Sequence, residues 1–138
     1  MELVIDTNCL ISALIKPGES RKLICSLDIK LYAPEDIILE TLNYKDLIIS
    51  KSGISNNEFN DLIKILLSNI KIIQENEFRH FKEQALKLVK HPEDTPFIAL
   101  CIAKNIPLWS NDKELKKQNV TKVFSTSELL KILRFISK

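Results

Sequence analysis

The rhythm of hydrophobic and polar positions changes repeatedly along this chain. Leu3-Val4-Ile5 is a short apolar run with no polar residue on either face, the pattern of a strand covered on both sides. Cys9 to Ile15 is predicted helical and is stopped by the turn signal Lys16-Pro17-Gly18. Ser20 opens a second short helix with apolar positions Leu23, Ile24 and Leu27. Leu31-Tyr32-Ala33 is a brief strand closed by Pro34. A longer helix is expected over 35–49, with Ile37, Ile38, Thr41, Leu42 and Tyr44 near helical period.

The second half repeats this alternation. Ser55 and Glu58 stand at capping-box spacing, and the helix they open carries Phe59, Leu62, Ile63, Leu66 and Leu67 on one stripe. Lys71-Ile72-Ile73 is strand-like, and Phe78, Phe81, Ala85, Leu88 and Val89 mark a helix ending near His91-Pro92. Thr95-Pro96 starts another, with proline in its first turn, where the missing N–H costs nothing. Pro107-Leu108-Trp109 and Lys122-Val123-Phe124 are short strands, and Ser125 to Phe135 forms the closing helix. Strands alternating with helices over the whole length predict a parallel sheet covered on both faces, a three-layer α/β/α domain.

Composition narrows the classes. With 138 residues, 45% hydrophobic and 28% charged, residues 1–138 are expected to form one domain with a sizeable core. No stretch approaches the about 18 uninterrupted apolar residues of a membrane span. The first strand carries Glu2 and Asp6 and lacks the features of a signal peptide, so no membrane and a cytoplasmic location are the expectation. Two glycines cannot build a phosphate-cradling G-x-x-x-x-G-K or G-x-G-x-x-G loop. Cys9, Cys25 and Cys101 form no C-x-x-C pair and sit among apolar neighbours, so buried free thiols are expected. His80 and His91 are the two histidines, too few for a nitrogen- and sulfur-rich zinc site, so any metal would be held by oxygen. Net charge is only +2, but residues 104–138 carry eight bases against three acids. That end could attract a phosphate backbone, although solvated helix faces give the same count.

Four carboxylates carry the candidate chemistry. In a doubly wound sheet, ligands gather at the carboxyl ends of the strands. Asp6 ends "LVID" and Asp112 follows "PLWSND", both at such ends. Glu40 lies within "IILETL", an apolar setting for a charge, and Asp94 stands at the start of the helix "TPFIALCIAK". Each has a plainer use. Asp6 or Thr7 could cap the first helix, Asp94 could be an N-cap, Asp112 could cap its turn, and Glu40 could pair with Lys45. Four carboxylates meeting in one crevice, however, repel one another unless protonated or neutralised by cations. A hard divalent ion, Mg²⁺ or Mn²⁺, suits such a ligand set.

The order "VIDTN", then "ILETL" on a helix, then "HPEDTPFIALCIAKNIPLWSND" resembles the PIN-domain ribonucleases, whose largest group is the toxins of VapBC-type toxin–antitoxin modules. The match covers essentially the full chain and is strongest from Glu93 to Leu115. It implies a PIN-like (Rossmann-like) three-layer α/β/α fold with a mostly parallel five-stranded sheet. It also implies that Asp6, Glu40, Asp94 and Asp112 are the catalytic and metal-binding acids, with Thr7, Asn8, Ser110 and Asn111 as supporting polar residues. Glu93 and Glu114 lie beside motif positions as additional acids, while Glu35 and Asp36 compete with Glu40 but sit nearer the helix start. Trp109 departs from the family's usual aliphatic residue.

The implied activity is hydrolysis of RNA phosphodiester bonds by a mechanism using Mg²⁺ or Mn²⁺ held by carboxylates. Two cations about 3.5–4 Å apart suit an in-line displacement of that kind. The implied partners are an RNA substrate, an antitoxin protein and a second copy of the chain in a homodimer. The stripe from Phe59 to Leu67 and the closing helix are core or, where exposed, candidate faces for those proteins.

Other readings fit less well. A receiver domain would want adjacent acids after the first strand, and haloacid-type phosphatases need D-x-D, where Asn8 stands here. The remaining alternative is a non-catalytic PIN-like RNA-binding or scaffold module, which loss of an acid would have favoured.

Overall fold

The computed structural model describes residues 1–136. Five strands, β1 (Glu2–Ile5), β2 (Lys30–Pro34), β3 (Ile70–Ile73), β4 (Leu108–Trp109) and β5 (Val123–Phe124), form one sheet in the order β3-β2-β1-β4-β5. Every pairing is parallel, in the register Val4↔Tyr32, Val4↔Leu108 and Leu108↔Val123 about the centre. The fold is therefore α/β with a five-stranded parallel sheet, as expected. Leu3, Val4 and Ile5 are wholly buried, which is what an apolar run at the centre of a two-sided sheet requires.

The strand order matters for function. From β1 the chain builds outward through β2 to β3, then crosses back to lay β4 on the other side of β1. Connections thus leave the carboxyl ends of β1 and β4 in opposite directions and open a crevice between them. Asp6 and Ser110 are the residues that immediately follow those two strands.

Eight helices surround the sheet among the described residues: α1 (Thr7–Ile15), α2 (Glu19–Ile24), α3 (Asp36–Asn43), α4 (Lys45–Ser52), α5 (Asn56–Leu67), α6 (Lys82–Leu86), α7 (Thr95–Lys104) and α8 (Thr126–Ile136). The Ser55 capping box forms as expected: Ser55 Oγ accepts from the Glu58 N–H at 3.1 Å, and Glu58 Oε1 accepts from the Ser55 N–H at 3.0 Å. A second box of the same kind starts α8, between Ser125 and Glu128. Helix α7 is buried continuously from Thr95 to Cys101, and it ends at Asn105, whose left-handed backbone (φ 55°) accommodates the turn into β4. Phe59, Ile63 and Leu66 of α5 are core, with Leu62 and Leu67 packed against them. In α8, Leu129 is buried and Leu130 and Leu133 pack on the core. The apolar position expected at Phe135 lies outside the described side chains.

Four local expectations are corrected. The single helix over 35–49 is two helices that change direction at Tyr44, whose backbone (φ −99°, ψ 11°) is not helical. This lets α3 bury Ile37 and Thr41 beside β2 while α4 turns to bury Ile48 against α1. The helix expected from Phe78 to Val89 is instead two 3₁₀ turns, Glu75–Glu77 and Arg79–Phe81, followed by the short α6. The apolar spacing is kept, since Phe78 and Ala85 are buried, but the tighter turns bring Phe78 inward sooner. Helix α2 ends at Ile24, leaving Leu27 fully exposed in the following loop. Cys25, the C-cap of that helix, is exposed, whereas Cys9 and Cys101 are buried free thiols. No helix among the described residues is long and apolar enough to cross a membrane.

Candidate active site

Asp6 is fixed by main chain on both sides. Its own N–H donates to the Trp109 carbonyl at 3.1 Å, tying the end of β1 to the end of β4. Its Oδ1 accepts from the Cys9 N–H at 2.9 Å, so it caps α1 as well. The plain capping use is real here, yet it does not account for the burial: Asp6 is 6% exposed. Burial pushes its carboxyl above the ordinary aspartate range, and the Asp112 charge adds to this. The Ser110 hydroxyl and the Cys9 bonds pull the other way.

Ser110 links two of the acids. Fully buried after β4, its Oγ accepts from the Asp112 N–H at 3.1 Å, and its hydroxyl lies close enough to Asp6 to lower that carboxyl's proton affinity. Asp112 Oδ1 accepts from the Glu114 N–H at 2.9 Å, the local turn expected from "SND".

The plain uses of the other two acids are absent. Asp94 occupies the N-cap position of α7, but its side chain makes no capping bond. Burial, then the charges of Asp112, Asp6 and Glu93, raise its carboxyl from 3.8 to about 6, with His91 opposing them. Glu40 on α3 does not meet Lys45, which reaches Asn60 and the Phe59 ring instead. Burial and the charge of Asp36 raise Glu40 from 4.5 to about 7, with smaller contributions from Asp94 and Glu93. The Thr7 hydroxyl lies close enough to temper that rise but short of hydrogen-bond geometry, so Thr7 Oγ1 is a buried polar atom without a partner.

One cleft of ≈ 260 Å³ brings these groups together: it is lined by Asp6, Thr7, Asn8, Glu40, Tyr44, His91, Glu93, Asp94, Phe97 and Asp112. All four carboxylates are present, and none of them forms an ion pair among the described residues. Among the described residues, no lysine or arginine lines the cleft. Four of the eight bases of the C-terminal stretch are engaged elsewhere, Lys116 with Glu128 and Lys117 with Glu114, while Lys104 and Lys122 lie over the rings of Tyr32 and Phe124. Larger space exists at the amino end of β4, but it is lined by Ile102, Ile106, Val120 and Phe124 and carries no acid.

Four residues named from sequence fall elsewhere. Asn111 turns away from the cleft, its Oδ1 accepting from the Thr126 N–H at 2.8 Å at the start of α8. Glu114 is held by Lys117 at 2.9 Å. Glu35 and Asp36, the competitors of Glu40, border a separate hollow beside Phe78, although the Asp36 charge still reaches Glu40. Conversely, Tyr44, His91 and Phe97 line the cleft and were not singled out by sequence. The signal for two of them was positional: Tyr44 follows Glu40 by one helical turn, and His91 precedes Asp94 by three residues.

Five carboxylates and the His91 ring line the cleft, a mutually repulsive and mainly oxygen donor set of the kind that suits a hard divalent cation. Among the described residues, no three His, Cys, Asp or Glu side chains close on a single point as a finished ligand set. The acids ring the cleft instead, and Glu40 and Asp94 carry proton affinities raised first by burial and then by the neighbouring carboxylate charges.

Comparison with known proteins agrees with the geometry. A chain of the crystal structure of VapBC2 from Rickettsia felis, bound to a DNA fragment from their promoter, shares the fold with a TM-score of 0.63. The two are 21% identical over 91% of this chain and 98% of that one. No curated protein matches the sequence. The family model described as the PIN domain matches residues 4–132, a span that contains all five cleft acids. The chain belongs to the PIN-domain family.

Proposed function

We propose that this chain is a metal-dependent endoribonuclease and the toxin component of a toxin–antitoxin pair. The observation that carries the catalytic part is the cleft itself: five carboxylates at the sheet's switch point, none of them ion-paired among the described residues. Keeping so much like charge together is costly unless cations join it. Family membership and the VapBC2 likeness support the toxin part.

Asp6, Asp94 and Asp112 would hold one Mg²⁺ or Mn²⁺, with Glu40 positioning a second ion or the attacking water. Such ions, when bound, supply positive charge beside the phosphate and make nearby water more acidic. The chain's own contribution is rigidity. Asp6 is locked by the Trp109 carbonyl and the Cys9 N–H, and Ser110 sets Asp112 in register with it. Glu40, with a pKa near 7, can exchange a proton with water close to neutral pH. Thr7 Oγ1, unpartnered beside Glu40, is free to orient a water or a substrate oxygen. Partners follow from this reading: RNA as substrate, an antitoxin protein, and a second copy of the chain.

The test is cleavage of a labelled RNA pool by the purified chain with Mn²⁺, with Mg²⁺ and with chelator, beside Asp6→Asn. Cutting that needs metal and vanishes in the variant is the expected result. RNA binding without cutting under any condition would instead make the chain an RNA-binding or scaffold module. Cutting that survives Asp6→Asn would refute the site.

A further inference from the structure

The cleft's lining residues divide into two kinds. Asp6, Thr7 and Phe97 are buried, and Glu40, Asp94 and Asp112 are partly so, whereas Asn8, Tyr44, His91 and Glu93 face solvent. Of the exposed group only Tyr44 offers a broad apolar face. It is 48% exposed, a large share for an aromatic side chain on a folded protein. Its hydroxyl has no hydrogen-bond partner among the described residues, so nothing polar explains why the ring is held at the surface. The chain changes direction at this residue, between α3 and α4, and continuation of α3 up to Asn43 places Tyr44 one turn beyond Glu40. Neighbours at that spacing have Cβ atoms about 5–6 Å apart. The ring therefore stands next to a carboxylate of the site, facing the same opening.

We propose that Tyr44 is a substrate-positioning residue, its ring being the platform on which an unpaired base of single-stranded RNA stacks beside the Glu40 carboxylate. This rests on the nuclease reading of the cleft. The chemistry is specific to an unpaired base, because only a base out of its duplex offers a face to an aromatic ring. Stacking also suits this cleft electrostatically. With no lysine or arginine in the lining to grip phosphate, binding has to draw on an uncharged contact in addition to the ions.

The experiment compares wild type, Tyr44→Phe and Tyr44→Ala in two assays with the full chain. The first is steady-state cleavage of a single-stranded oligoribonucleotide with Mn²⁺. The second is quenching of a 2-aminopurine-containing oligoribonucleotide on binding, with Ca²⁺ replacing Mn²⁺. Loss of the ring is expected to raise KM about 10-fold or more, in line with base–aromatic stacking, while kcat stays within about 3-fold. Tyr44→Phe should match wild type, and quenching should be lost only in Tyr44→Ala. Because the side chain is half in solvent, both variants should melt with wild type.

Equal KM values for wild type and Tyr44→Ala would overturn the proposal and leave the nuclease reading intact. So would a Tyr44→Phe variant as impaired as Tyr44→Ala, which would assign the role to the hydroxyl. A change in oligomeric mass without a change in KM would overturn it in favour of a protein interface continuous with exposed Leu39, Leu42 and Leu47. Absence of cleavage by wild type would defeat the nuclease reading, and the quenching assay would still decide whether a base meets this ring.

Discussion

The unpaired acids make the metal-free protein respond to pH in a defined direction. Glu40 moves from 4.5 to about 7 on folding and Asp94 from 3.8 to about 6. Between those limits the folded chain keeps protons that the unfolded chain has released, so stability falls as pH rises through the window from about 4 to about 7. Fully enclosed, a group displaced as far as Glu40 would cost roughly 3 kcal/mol above pH 7. Both residues are only partly buried, so screening reduces this to about 1–2 kcal/mol each, and their shared repulsion makes the joint figure about 2–3 kcal/mol. Asp6 shifts in the same direction. Glu58, Glu75, Glu114 and Glu128 shift oppositely, so their contribution is lost only as pH drops below about 4.5. Maximum stability in chelator is therefore expected near pH 5. Urea unfolding followed by the emission of Trp109, the single tryptophan, reads this directly. With roughly two-thirds of that figure lost above pH 5 and a slope of about 1.5 kcal/mol per molar urea, the midpoint should fall by about 1 M between pH 5 and pH 8. Glu40→Gln should remove roughly half of that fall, and Mn²⁺ should restore stability at pH 8 far more than at pH 5, where protons compete with it. A midpoint that rises from pH 5 to pH 8 in chelator, or a slope untouched by Glu40→Gln, would refute the account of the cleft.

Other expectations concern single groups. Asp6→Asn should lower cleavage by more than about 100-fold while leaving the metal-free protein at least as stable at pH 8, as activity assays and urea melts would show. Ser55→Ala removes the N-cap of α5 and should cost about 1 kcal/mol in a urea melt with cleavage unchanged. Trp109→Phe loses the 3.0 Å bond from Nε1 to Thr126 Oγ1 and leaves a gap in a fully buried site, for about 2–3 kcal/mol by thermal denaturation. A thiol reagent should modify one cysteine of the native protein quickly, Cys25, and all three only after denaturation.

The legible parts of this molecule were those where local pattern and tertiary need agree. Leu3-Val4-Ile5 could be read as a central strand because burial on both faces leaves no room for a polar residue, and the Ser55 box because its two bonds are made within four residues. Asp6 and Asp112 could be read as one site because strand ends converge in this topology, whereas Glu40 and Asp94 join it from helices α3 and α7. The break at Tyr44 was not legible. Residues 35–49 contain neither proline nor glycine, and it is the separate burial of Ile37 and Ile48 against different neighbours that bends the chain. The 3₁₀ turns around Phe78 hid for the same reason: the apolar spacing served both geometries. Asn111 was misplaced because a small polar residue beside an acid suits a cap as well as a site, and the start of α8, near only after folding, claims it.

The bond from Asp6 to the Trp109 carbonyl has a consequence for the order of events during synthesis. The sheet pairs Val4 with Leu108, so the two central strands come from opposite ends of the chain. A nascent polypeptide that has reached Asp94 already contains Asp6, Glu40 and Asp94, yet it lacks the strand that fixes Asp6 and the serine that aligns Asp112. The cleft is completed by the contact that closes most of the chain into a loop, among the slower steps available to a polypeptide of this size. Fragments released early, whether by stalled translation or by proteolysis, carry most of the acids without the geometry that would make them work together.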